Sequence, residues 1–158
     1  MKKILKLTMV LLGALFVLLG CSSEAKSEFV FEHNMGKQKI TYVYDKAKDS
    51  VTSLTFDISY DIANNKDMET QIRNLRESIV TEINGIEGVT VTQSDSEKGL
   101  KVTVAVDLKK FKYDDEEGRQ KAPSLYSSIH TALVKKNDIY SFEESKKSIL
   151  DEGFKEVK

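Results

Sequence analysis

Ser53-Leu-Thr-Phe-Asp-Ile-Ser-Tyr-Asp-Ile62 is the stretch that decides the fold. On an extended backbone Leu54, Phe56, Ile58, Tyr60 and Ile62 point one way, while Ser53, Thr55, Asp57, Ser59 and Asp61 point the other. Strict period-2 alternation marks a strand with one buried and one wet face. Such a strand belongs to an antiparallel sheet whose apolar side needs a second layer.

Toward the N-terminus, Ile40, Tyr42 and Tyr44 share one face of a strand over 37–45. The polar turn Asp45-Lys-Ala-Lys-Asp49 joins it to the 53–62 strand. Phe29 and Phe31 mark a brief strand beginning near Glu28 and ended by His33-Asn-Met-Gly36. Toward the C-terminus, Met68, Ile72, Leu75, Ile79 and Ile83 form one apolar stripe of a helix over 66–84, which Gly85 and Gly88 end. Glu69–Arg73 and Arg73–Glu77 are i,i+4 pairs on its wet side. A hairpin follows, with Val89 and Val91 in one strand, Leu100, Val102, Val104, Val106 and Leu108 in the other, and a loop over 94–99.

Beyond Lys109 the charged run Asp114-Asp-Glu-Glu-Gly118 reads as an exposed connection. Pro123 suits the start of a helix over 124–136 that carries Leu125, Ile129 and Leu133. Ser141-Phe-Glu-Glu144 is a capping box opening a helix over 145–152, with Ile149 and Leu150 inward. Gly153 stops it, and Phe154 packs back. The order β3-α-β2-α predicts a single two-layer α+β domain over 28–158. Its sheet is about five-stranded and mostly antiparallel, with helices covering one face.

The first residues read as an address. Lys2, Lys3 and Lys6 precede thirteen uncharged residues, Leu7 to Leu19, about 20 Å as a helix and short of the roughly 30 Å hydrocarbon core. A basic start, a short apolar run and small residues at the boundary describe a cleaved secretory signal over 1–20. Leu18-Leu-Gly-Cys21 resembles the lipobox of bacterial lipoproteins. That resemblance implies that Cys21 receives a diacylglycerol and becomes the new N-terminus. Residues 21–27 then read as a lipidated tether, its six residues after Cys21 reaching about 20 Å when extended.

The chain has 24 basic and 25 acidic residues; without the three leader lysines the remainder stands at 21 − 25 = −4. This mildly acidic balance speaks against nucleic acid as a partner and against electrostatic attraction to anionic lipid. Cys21 is the only cysteine. Once acylated it leaves no thiol for a disulfide, a metal or a nucleophile.

A lipobox cysteine, a short tether, the β3-α-β2 layout and a closing helix Ser-Phe-Glu-Glu…Ile-Leu-Asp-Glu-Gly-Phe-Lys-Glu together resemble the YehR-like bacterial lipoproteins, a family defined by a domain of unknown function. The resemblance implies a small α+β domain on a lipid anchor and carries over no site residues.

No pattern of residues announces catalysis. His33 and His130 lack the clustered ligands of a zinc site. The 114–118 run lacks the alternating spacing of a calcium loop. Asp57 and Asp61 are about 13 Å apart along a strand, too far for a glycosidase pair, although Asp107 could approach either. No serine sits in Gly-x-Ser-x-Gly or Ser-x-x-Lys. Tyr42, Tyr44 and Tyr60 suit core packing, or a groove for a ligand. No catalytic residue, metal or cofactor is expected.

The expected function is non-enzymatic binding at the envelope, anchored in the cell membrane through Cys21 on the extracytoplasmic side. The partner would be an envelope protein or small ligand, met by the polar face of Thr55, Asp57, Asp61 and Thr103. A small solute-binding accessory of a transport system is the alternative, and an envelope enzyme ranks last.

Overall fold

The computed structural model describes residues 23–96 and 99–158. Three long antiparallel strands come first: β1 (Glu24–His33), β2 (Gly36–Asp45) and β3 (Ser50–Asp61). A single 3₁₀ turn (Lys66–Met68) leads into α1 (Glu69–Ile83), and the hairpin β4 (Val89–Asp95) and β5 (Gly99–Asp107) follows. Then come α2 (Glu116–Lys121), α3 (Pro123–Ala132), the short strands β6 (Val134–Lys136) and β7 (Ile139–Ser141), α4 (Phe142–Asp151) and β8 (Lys155–Glu156). The strand order is β4-β5-β3-β2-β1-β8, with the β6–β7 hairpin joined to β3 through Ser50 and Ser141.

The alternation of 53–62 propagates across this sheet as rows. Phe29, Ile40, Phe56, Val104 and Val91 are successive cross-strand partners, and so are Tyr42, Leu54, Val106 and Val89. These rows lie under the helices, where Leu125, Ile129, Phe142 and Ile149 complete the core. The opposite rows are polar, with Glu28, Thr41 and Thr55 in one and Lys39, Asp57, Thr103 and Thr92 in the next.

Several expectations change. The sheet has eight strands, not about five. The helix expected over 124–136 ends at Ala132, because Asn137 and Asp138, both at positive φ (51° and 63°), form the tight turn of a hairpin. Residues 24–27, read as part of a tether, are strand: β1 starts at Glu24, and the Ser23 carbonyl accepts from Lys46 N at 2.7 Å. The 114–118 connection is partly helical: Glu116 opens α2, and Gly118 is buried against Tyr126, whose hydroxyl would lie 2.2 Å from a Cβ there.

Helix α1 is rotated from its expected stripe. Arg76 is buried, whereas Leu75 is 46% exposed. Arg76 pairs with Glu77 at 2.7 Å and with Asp95 of β4, while its Nε has no partner among the described residues. Glu69–Arg73 forms at 2.8 Å, but Arg73 then turns to Asp95 at 3.2 Å in place of Glu77.

Two closures hold α4. Ser141 Oγ accepts from Glu144 N at 3.2 Å, the expected half of a capping box. The other contacts come from Asp49, whose carboxylate accepts from Ser141 Oγ and from Glu143 N at 2.9 Å, and whose carbonyl accepts from Phe142 N at 3.1 Å. At the far end Phe154 N donates to Ile149 O and Gly153 N to Leu150 O, a Schellman closure with Gly153 at φ +93°. Phe154 then packs on Phe31, with ring centroids 5.5 Å apart.

Candidate functional site

Helices α1 and α3 do not close over the sheet, and a cleft of about 340 Å³ remains between them. Its floor is Gln38 and Ile40 of β2, Phe56, Ile58 and Tyr60 of β3, and Val104 of β5. One wall is Ile79, Glu82 and Ile83 of α1; the other is Ser124, Leu125, Ser128 and Thr131 of α3; Ile149 and Phe154 close the end. The volume falls within the range of small-molecule sites, which are concave, mostly apolar and carry few polar groups.

The local sequence explains the opening. Ile79 belongs to a stripe patterned for burial, yet α1 is held to the sheet through Ile72, Arg76 and Ile83 and leaves Ile79 half-buried in the cleft wall. Part of the apolar face is therefore left uncovered. On α3, Ser124, Ser128 and Thr131 recur at spacings of 4 and 3, so a line of hydroxyls stands beside the core stripe of Leu125 and Ile129. Polar ties link the end of α1 to both α2 and α3. Glu82 accepts from Ser124 N at 2.8 Å and from Ser124 Oγ at 3.2 Å, and Lys121 Nζ donates to the Asn84 carbonyl at 2.8 Å.

Of the tyrosines, Tyr60 lines the cleft, and burial pushes its phenol above the ordinary value. Tyr42 is a core residue whose hydroxyl donates to the Ala132 carbonyl at 2.7 Å; burial raises its phenol strongly. Tyr44 stacks on Phe142 at 3.7 Å between centroids.

The polar sheet face brings together some of the expected residues. Thr103 Oγ1 donates to Asp57 Oδ1 at 2.6 Å, and Lys101 and Lys39 lie 2.8 and 3.4 Å from that carboxylate. Burial pushes the Asp57 carboxyl up, but hydrogen bonds from Lys101 and Thr103 and the two ammonium charges outweigh it, so the net direction is down. Thr55 is two residues away on the same face, opposite Thr41 and Ala105. Asp61 stands apart. It serves the turn after β3, accepting from Asn64 N at 3.1 Å and Asn64 Nδ2 at 2.6 Å. Asp107 faces Ser53, four residues along β3 from Asp57, and accepts from Lys109 N.

His33 Nδ1 accepts from Met35 N at 3.3 Å, and His130 packs on Tyr113 at 4.3 Å. Among the described residues no group of three acidic, histidine or cysteine side chains could hold a metal ion. Nor is any described helix long and apolar enough to cross a membrane. Cys21 lies outside the described residues. Sequence patterning gave no sign of Glu82, Ser128 or Thr131 as site residues; the hydroxyl spacing on α3 was the available signal.

Two solved structures share the architecture. The NMR structure of the E. coli YehR protein matches with a TM-score of 0.66 at 20% identity, over 89% of this chain and 94% of that one. The NMR structure of a protein from Streptococcus pneumoniae TIGR4 matches with a TM-score of 0.55 at 14% identity, over 85% of each chain. Identities this low establish a shared fold alone, that of the YehR structure. No protein-family model matches the chain, and no curated protein does.

Proposed function

We propose that this chain is a lipid-anchored protein of the bacterial envelope that works by binding, and that the cleft between α1 and α3 is its binding site. The cleft carries the reading: Phe56, Ile58 and Ile79 line it and stay only half-buried, where the patterning calls for burial. Filling such a surface is favourable at about 25 cal/mol per Å² of apolar area removed from water. The anchor rests on Leu18-Leu-Gly-Cys21 and the apolar run before it. The absence of a nucleophile motif from the sequence supports binding over catalysis. A small-ligand role is favoured over a protein contact at the polar sheet face, because Asp57 there is already neutralised by Lys39 and Lys101.

Two results are expected. Cys21→Ser abolishes incorporation of radiolabelled fatty acid and releases the protein from the membrane fraction; continued acyl labelling of the variant would overturn the anchor. Octanol at saturating concentration raises the melting temperature of the full-length protein by mass action, and Ser128→Trp removes that shift by filling the mouth of the cleft. Equal shifts in both proteins would overturn the cleft as binding site.

A further inference from the structure

The charge around the cleft points to its ligand: we propose that it takes an apolar molecule with a cationic headgroup, such as an alkyl ammonium, and that Glu82 holds the charge. This rests on the cleft being the binding site. Glu82 is the carboxyl side chain that the cleft wall presents. Lys39 touches the same region, but alternation along β2 sends its ammonium to the opposite face of the sheet, 3.4 Å from Asp57 and 3.7 Å from Glu28. Lys121 lines a separate polar hollow with Glu87, Lys112 and Tyr126.

The neighbouring hydroxyls agree in polarity. Ser124 Oγ donates to Glu82, Ser128 Oγ donates to the Ser124 carbonyl at 2.9 Å, and Thr131 Oγ1 donates to the Ser127 carbonyl at 3.1 Å. Their protons are committed, so these cleft-lining oxygens are left as acceptors. A carboxylate accepts about four hydrogen bonds, and Ser124 supplies two to Glu82. The remaining capacity suits an ammonium, which has three donors and no acceptor. Gln38, Tyr60 and Ser127 keep neutral polar groups that serve a cationic or uncharged head equally and give an anion no countercharge.

Octylammonium, octanol and octanoate share one chain and differ in head charge. Each is titrated at neutral pH into the full-length protein in non-ionic detergent, with the Ser128→Trp protein as background for partition. Octylammonium is expected to bind about tenfold more tightly than octanoate, as for a charge-assisted hydrogen bond, with octanol between them. In Glu82→Gln the octylammonium affinity falls to that of octanol, while octanol affinity stays within twofold and reports that the cleft is intact. Binding of all three with equal affinity, or tightest binding of octanoate, would overturn the charge preference and leave the cleft standing as the site. Binding of none would overturn both. Unchanged octylammonium affinity in Glu82→Gln would remove Glu82 as the headgroup partner.

Discussion

Gly88→Ala is expected to lower stability by about 3–5 kcal/mol, the sum of left-handed strain and an overlap that nothing can relieve. Gly88 has φ +78°, and a Cβ there would lie 2.5 Å from Phe111 N, 2.9 Å from Phe111 Cα and 3.0 Å from the Asp107 carbonyl oxygen. All three are backbone atoms, so no rotamer change makes room. The glycine stands where the chain leaves α1 and enters β4, and its own carbonyl accepts from Asp107 N at 2.8 Å. Moving it would disturb the register of β4 on β5. Thermal melting followed by circular dichroism should show a fall of about 10 °C or more for a chain of this length. Gly85→Ala is the control. Its φ of +79° is the same, but its Cβ would meet only the end of a flexible chain, Lys121 Nζ at 3.3 Å. Its cost should be about 1 kcal/mol, and equal losses for the two variants would show that overlap at Gly88 is not the cause.

Asp49→Ala is expected to lower stability by about 3 kcal/mol, and to do so by loosening a helix 92 residues further along the chain. Asp49 ends the turn between β2 and β3, in the left-handed region at φ +51°. Its carboxylate receives Ser141 Oγ and Glu143 N, two groups at the start of α4. Alanine removes both acceptors and keeps the unfavourable backbone conformation. Asn tolerates that conformation and retains one acceptor oxygen, so Asp49→Asn should recover more than half of the loss. Amide hydrogen exchange separates the mechanism from a general weakening. Protection should fall first in the 142–146 amides, and uniform loss across the sheet would contradict the capping role.

The rows of the sheet were legible because the 53–62 alternation is unbroken, and one correctly read strand sets the side on which its neighbours bury their residues. The end of α4 was legible for the same reason of local sufficiency: Gly153 and Phe154 complete a closure that needs only residues from one turn. Glu24 to Ser27 escaped notice as strand because the residues facing the core there are Ala25 and Ser27, small groups beside Tyr44 and Tyr42 that leave no apolar alternation to read. The α3 boundary was overrun because Leu133 continues the helical spacing past Ala132, although Asn137-Asp138 carried a turn signal. The start of α4 was half legible, since Asp49 reaches it from distant sequence. The cleft lies beyond any local pattern. It exists because two helices fail to meet, and a stripe such as Leu75 and Ile79 reads alike whether its cover is protein or something else.

The early start of β1 bears on the attachment proposed for Cys21. On that proposal Ser23, fixed to Lys46, stands two residues beyond the acylated cysteine, at most about 7 Å of extended chain. So short a reach would bring the start of β1, with the Asp45–Ser50 turn beside it, close to the bilayer. In that turn Lys46 and Lys48 are balanced by Asp45 and Asp49, with Lys48 3.7 Å from Asp45, so it brings no net charge to the lipid. The row of Phe31, Gln38 and Ile58 lies seven residues along β1 from Glu24, about 23 Å away. On the proposed anchor the floor of the cleft would stand clear of the lipid, and a ligand would reach it from solution and not sideways out of the membrane.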